Sequence, residues 1–185
     1  MPDPTFGWAD MPDYRGWVPG DPPIPLRTSF IEADTIGDRL LLSGRVLTRS
    51  GTPMANVKLE FWQANAAGQY DLSAAFKLRG VQRTRADGAF RVETILPGAA
   101  RGGIPHIDYL AMAFLPTRKQ PPTLRAAVCF ATETELDRAI APEDRHHVGP
   151  NARIYRDDAA YLSLDKLPLE NGVRHATYDI VFDIA

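Results

Sequence analysis

The sequence predicts an all-β protein, an antiparallel β-sandwich of about seven to eight strands with irregular loops and one or two short helices. Three observations carry this. Val57, Leu59 and Phe61 alternate with Asn56, Lys58 and Glu60, the period-2 signature of a half-buried strand. The 14 Gly and 16 Pro residues cluster between apolar runs and act as turn signals. Few long stretches carry the 3.6-residue period of a helix.

The elements follow in order. Residues 1–37 hold seven prolines between Pro2 and Pro25, which leaves little room for regular structure. The same segment carries Trp8, Tyr14, Trp17 and Phe30, more apolar mass than a solvated tail needs. It reads as an arm packed on the body or on another subunit. The body is expected over 38–185. RLLLSGRVLT, the turn around Gly51 and Pro53, and NVKLEFW read as strand, turn, strand. RADG at 85–88 is a turn signal, and Phe90, Val92 and Thr94 alternate after it. HIDYLAMAFL and TLRAAVCFA are two more strands, joined by the loop 115–122. HATYDIVFDI closes the chain as a last strand. Short helices are expected at 133–140 and at 157–163.

Composition excludes several function classes. Twenty-one Lys and Arg face 23 Asp and Glu, a formal net charge of -2. No basic excess exists to neutralise phosphates or an anionic membrane, so neither nucleic acid nor membrane is an expected partner. No apolar run reaches the ~18 residues of a membrane span. The N-terminal residues carry Asp3 and Asp10 and lack the basic start of a secretory signal. A single cysteine, Cys129, rules out an internal disulfide and a Cys-rich zinc site, and its apolar setting AAVCFA suits an inert buried thiol. The expected compartment is the cytoplasm.

His106 and Asp108 are the first candidates for chemistry. They lie two apart in a strand, so imidazole and carboxylate share one face. Both are metal-ligand types, and both also serve structural hydrogen bonds. His146 and His147 are adjacent in a charged loop and read as surface residues, and His175 reads as structural. Tyr70 ends FWQANAAGQY, a run that leaves a strand and can present a phenol at the mouth of the sandwich.

GRVLTRSGTPMANVKLEFWQANAAGQYD resembles the entry motif of the intradiol ring-cleavage dioxygenases: G-x-V, a turn with G-x-P, an alternating strand ending in W-Q-A-[ND], then G-x-Y. Gly44, Val46, Gly51, Pro53, Trp62, Gln63, Ala64, Asn65, Gly68 and Tyr70 fit it. TRADGAFRVETILPG resembles the next family segment, PHIDYLAMA sits where the family carries its H-I-H strand, and YDIVFDI matches the closing strand. The resemblance runs from about residue 38 to the C-terminus.

The resemblance implies a β-sandwich holding a non-haem ferric iron at one end, bound by two Tyr and two His, that cuts catechols with dioxygen. The first Tyr matches Tyr70 and the first His matches His106. The second Tyr matches Ala100, which cannot ligate, and the second His matches Asp108. A family Arg falls at Gly103 and a family Gln near Ala127. This loss pattern resembles the iron-lacking α subunit of protocatechuate 3,4-dioxygenase, apart from Asp108 and an arm without T-x-G-P-Y. The expected function is therefore acid–base chemistry without a cofactor: isomerisation, cyclisation or elimination on an aromatic or polyketide-like molecule. Tyr70, His106 and Asp108 are the expected catalytic residues. Trp62, Ala100, Arg101 and Tyr109 are the expected substrate lining. Two alternatives stand beside it. One is a non-haem iron dioxygenase whose metal is held by Tyr70, His106 and Asp108. The other is an α-like partner of a β-like subunit. A homo-oligomer is a further expectation.

Overall fold

The computed structural model describes residues 20–100, 104–139, 153–154 and 159–184. They form two β-sheets packed face to face, with one short helix, α1 (Glu133–Ala139).

The first sheet is built on β1 (Arg39–Thr48). On one side β1 pairs antiparallel with β4 (Ala89–Ile95). On the other it pairs with the closing run, β10 (Val173–Thr177) and then β11 (Asp179–Phe182). Both partners keep one register, Arg39 opposite Val173 and Val46 opposite Ile180, so the closing run is a single line of chain interrupted at Tyr178. The interruption explains Gly44. A Cβ there would lie 1.7 Å from the Tyr178 carbonyl oxygen, which no side chain tolerates. The two-residue strands β7 (Arg153–Ile154) and β9 (Leu169–Glu170) extend this sheet.

The second sheet has the order β3 (Arg79–Arg83), β2 (Lys58–Gln63), β5 (His106–Met112), β6 (Thr123–Ala131), β8 (Ala159–Ser163). β2, β3, β5 and β6 pair antiparallel with their neighbours. β8 lies parallel to β6.

Two expectations need correction. The sandwich is mixed rather than antiparallel, because β10, β11 and β8 return to their partners by crossovers instead of hairpins. Splitting of the closing run and the two-residue strands raise the strand number above seven to eight. The expected second helix is absent from 159–163, which is strand β8 followed by a 3-10 turn at Leu164–Lys166. β8 stands against β6 with Ala160 and Leu162 wholly buried, so tertiary packing overrides its Ala and Leu content. The helix α1 does form. Thr132 and Glu135 cap it reciprocally: the Glu135 carboxylate accepts from Thr132 N–H at 2.8 Å, and Thr132 Oγ1 accepts from Glu135 N–H at 3.3 Å.

The core lies between the sheets. Leu40, Leu42, Val92 and Ile180 face Phe61, Ile107, Tyr109 and Val128, all buried. Tyr109 and Tyr178 join the layers through a 2.7 Å hydrogen bond between their hydroxyls. Gln63 does the same by side chain, donating to Ile95 O and accepting from Thr94 Oγ1. Part of the expected arm belongs to this body. Phe30 is buried in the core, and Arg27 and Phe30 donate backbone N–H groups to Val81 and Glu93. Burying one such ring is worth roughly 1.5–3 kcal/mol. Trp8, Tyr14 and Trp17 lie outside the described residues.

Candidate functional site

The outer face of the second sheet carries the site. Alternation on β5 sends Ile107, Tyr109 and Ala111 into the core and His106, Asp108 and Leu110 outward. Register then fixes the neighbours. Asp108 stands between Trp62 and Ala127, and His106 lies beside Cys129.

Tyr70 arrives from a loop rather than a strand. Asn65 organises that loop: its side-chain oxygen accepts from the N–H groups of Ala67 and Gln69, and its carbonyl accepts from Gly68 and Gly98. Gly68 has φ +78°, and a Cβ there would lie 2.3 Å from Ala99 O. A Cβ at Gly98 would lie 2.4 Å from Ala66 O. The loops 65–70 and 97–100 therefore interlock backbone against backbone, and glycine is required on both sides.

The phenol oxygen of Tyr70 meets both strand residues. It lies 2.9 Å from His106 Nε2 and 3.0 Å from Asp108 Oδ2, and those two atoms are 3.5 Å apart. His106 Nδ1 is 2.8 Å from the Ile104 carbonyl. A carbonyl only accepts, so Nδ1 carries a proton, and the lone pair or second proton of the ring points at Tyr70. His106 and Asp108 are partly buried, with side-chain exposures of 26% and 13%.

The sequence left one feature of this face unread. Glu60 and Arg79 form a buried ion pair, and the Arg79 guanidinium stacks over Trp62 and Phe76 at 5.9 and 5.3 Å. Cys129 sits next to His106 in the register, and burial pushes its thiol up to about 12, with the Asp108 charge adding to the effect. It is an unreactive thiol at neutral pH.

The donor spacing also bears on a metal. Bonds of roughly 2.0–2.2 Å to one cation, at angles near those of an octahedron or tetrahedron, place donor atoms roughly 2.9–3.5 Å apart. Phenol, imidazole and carboxylate have that spacing here. Among the described residues no group of three His, Cys, Asp or Glu converges, so any such cation would rely on the phenol of Tyr70. Ala100 adds no donor.

Comparison with known proteins agrees with the fold and the motifs. A family model described as "Dioxygenase" matches residues 22–110. The solved dioxygenase domain of a dioxygenase–carbohydrate-binding protein fusion from Streptomyces sp. SirexAA-E is 32% identical, with a TM-score of 0.66, over 91% of this chain and 97% of that one. The chain belongs to the intradiol ring-cleavage dioxygenase family. The protocatechuate 3,4-dioxygenase β chain of Burkholderia cepacia is 40% identical over 75 residues, 36% of this chain and 32% of that one. The hydroxyquinol 1,2-dioxygenase of a Rhizobium strain is 36% identical over 74 residues, 37% of this chain and 25% of that one. The matched segments thus span a third or less of these curated relatives. The 3-chlorocatechol 1,2-dioxygenase of Rhodococcus opacus 1CP, 21% identical with a TM-score of 0.62 over 93% of this chain and 71% of that one, shares the fold.

Within this family fold the expected site residues divide. Tyr70, His106 and Asp108 are brought together. Trp62 lies beside Asp108 but is only 2% exposed and covered by Arg79. Ala100 is half-buried at the end of the interlocked loop. Arg101, His146 and His147 lie outside the described residues. Tyr109 is a correction: it is fully buried, points into the core and bonds Tyr178, because it is one residue out of phase with Asp108. A cavity of about 480 Å³ opens beside Tyr70, lined by Phe30, Ile36, Asn65, Lys77 and Leu78 among others. His106 and Asp108 are not part of its wall. No helix among the described residues is long and apolar enough to cross a membrane.

Proposed function

We propose that this chain is an enzyme that uses the intradiol dioxygenase fold for acid–base chemistry on an aromatic or polyketide-like small molecule. One observation carries the reading: a single phenol oxygen is within hydrogen-bond reach of both an imidazole and a carboxylate. Tyr70 has one proton and two acceptors. With the proton on Oδ2's side, a protonated Nε2 donates back to the phenol; with it on Nε2's side, the ring is neutral and accepts. The same heavy-atom geometry serves both arrangements, which is what a proton relay needs. Tyr70 then exchanges a proton with the substrate, His106 takes or returns it, and Asp108 stabilises the imidazolium. The Ile104 carbonyl holds the ring in place. The cavity beside Tyr70 is of the size that takes a small aromatic molecule. Reaction type (isomerisation, cyclisation or elimination) follows from which substrate carbon faces the phenol.

The donor spacing supports a second reading, in which Tyr70, His106 and Asp108 hold a non-haem iron. That metal would supply dioxygen activation for ring cleavage. Against it stand Ala100 for a second phenolate, and Gly103 and Ala127 for the family's Arg and Gln; Ala127 flanks Asp108 on the same face.

Metal analysis, visible spectra and oxygen uptake of the purified protein separate the readings. The acid–base reading expects a colourless protein with substoichiometric iron and no cleavage of catechol or protocatechuate. Its turnover of a screened aromatic substrate needs no oxygen, survives chelators and is lost in Tyr70→Phe. About one iron per chain, a phenolate-to-iron charge-transfer colour and oxygen uptake on catechols would overturn it. Full activity of an oligomeric complex carrying His106→Ala would instead mark an α-like partner subunit.

A further inference from the structure

The other sheet carries a groove of its own, which Tyr70, His106 and Asp108 do not line. Alternation on β1 sends Leu40 and Leu42 into the core and Arg39 and Leu41 outward. Register places His175, Leu41 and Glu93 in one row across β10, β1 and β4. Segment 28–31 runs beside β4 in a short parallel pairing, in which Phe30 N–H donates to Glu93 O and Glu93 N–H donates to Thr28 O. Between that segment and the turn after β9 lies a groove of about 630 Å³, walled by Ile31, Leu41 and Val173 with Arg39, Arg91 and His175.

Arg39 is the unusual member. Its Nη1 is out of solvent contact yet has no hydrogen-bond partner. The carboxylates of the groove are turned elsewhere: Glu93 bonds Arg91, and Glu170 lies 4.0 Å from His175. A buried donor without an acceptor costs roughly 1–3 kcal/mol, more when it is charged, and native structures seldom leave one. A guanidinium presents a planar fork that matches an oxyanion in two bonds. Ile31, Leu40, Leu41 and Val173 supply the apolar part of the wall, and Ser29, Thr94 and Asn171 add neutral polar groups.

We infer that this groove is a second binding site, for a small carboxylate on an apolar body, with Arg39 as the residue that receives the carboxylate. The apolar patch in the wall favours such a molecule over inorganic phosphate, which would offer Arg39 the same oxygens but leave Ile31, Leu41 and Val173 uncovered. The site shares no residue with Tyr70, His106 and Asp108, so it stands whether or not the acid–base reading does.

The test uses thermal unfolding and equilibrium dialysis of the full chain with benzoate, with phosphate and chloride as comparison ions at equal ionic strength. Expected is a rise of several degrees in Tm with benzoate at about a hundredfold excess over Kd. The rise is absent in Arg39→Met, reduced in the exposed rim variant Arg91→Gln, and retained in His106→Ala, which empties the other site of its imidazole. Phosphate gives a smaller rise. Without ligand, Arg39→Met melts no lower than the wild type, because it removes an unsatisfied donor and keeps the apolar stem. Should Arg39→Met not fold, dialysis with Arg91→Gln decides alone: unchanged benzoate binding there overturns the site. Benzoate shifts equal in all variants, a shift lost only in His106→Ala, or no shift at all would each overturn it as well.

Discussion

The two faces of the second sheet are made by the same strands and differ in almost every physical respect. The inner face, Phe61, Ile107, Tyr109 and Val128, is apolar and closed; its few polar atoms bond one another, as Tyr109 and Tyr178 do. The outer face, Glu60, Trp62, Arg79, His106, Asp108 and Cys129, is also largely buried, yet it concentrates charge and proton-exchanging groups. Burial on one side serves cohesion. On the other it shields ionisable groups from water, where their interactions are stronger and their partners matter more. A shift of one residue along β5 moves a side chain from one regime to the other.

The widest contrast is expected from His106→Ala. Loss of a positioned acid–base group typically removes 10²–10⁴ in turnover. The ring is mostly buried and bonded at both nitrogens, so its loss should also lower stability, by about 1–2 kcal/mol. A variant with wild-type turnover would show that the outer face has no catalytic role. Glu60→Ala tests whether that face also holds the fold together. It uncovers the buried charge of Arg79, and breaking such a pair costs about 3–5 kcal/mol, readable by urea unfolding. A loss below 1 kcal/mol would mean that the pair is solvated. On the inner face, Tyr109→Phe removes the hydroxyl contact to Tyr178 and should cost about 1 kcal/mol with turnover unchanged. A selective fall in turnover would put Tyr109 back into the substrate site.

The smallest effect concerns Cys129. Its thiol is raised from 9.0 to about 12, so the native state resists ionisation while the unfolded chain ionises from about pH 9. The sign follows: this contribution is complete below pH 9 and is lost as pH rises from 9 towards 12. Wild type should therefore lose more stability between pH 8 and 10.5 than Cys129→Ala does. Parallel pH profiles for the two proteins would refute the burial of the thiol.

Much of this was legible in the chain. β1 and β6 begin and end where RLLLSGRVLT and TLRAAVCFA do, because their turn residues are local signals. β8 was misread as helix, since a strand whose pairing is parallel and distant leaves no local signature in AAYLS. In the site, two-residue spacing was enough to put His106 and Asp108 on one face. The same rule assigns Tyr109 to the core, and placing it in the substrate lining ignored that phase. For Tyr70 the loop that ends FWQANAAGQY offered only a possibility and the motif likeness supplied the rest, as no periodicity predicts where a loop side chain lands. Glu60 and Arg79 were missed because alternation marks which residues leave the core but not whether the far side is itself covered.

The interlock of loops 65–70 and 97–100 has a consequence for how this chemistry can change over generations. Gly68 and Gly98 let the two backbones meet directly, with neither the Tyr70 nor the Ala100 side chain taking part in the contact. Residues at the loop ends, Tyr70 and Ala100, can be exchanged without moving their anchors. A phenol can therefore be added at position 100 as a single step, with the chain's architecture as a bystander. Ala100→Tyr would show whether a second phenol can be placed there with the fold unchanged.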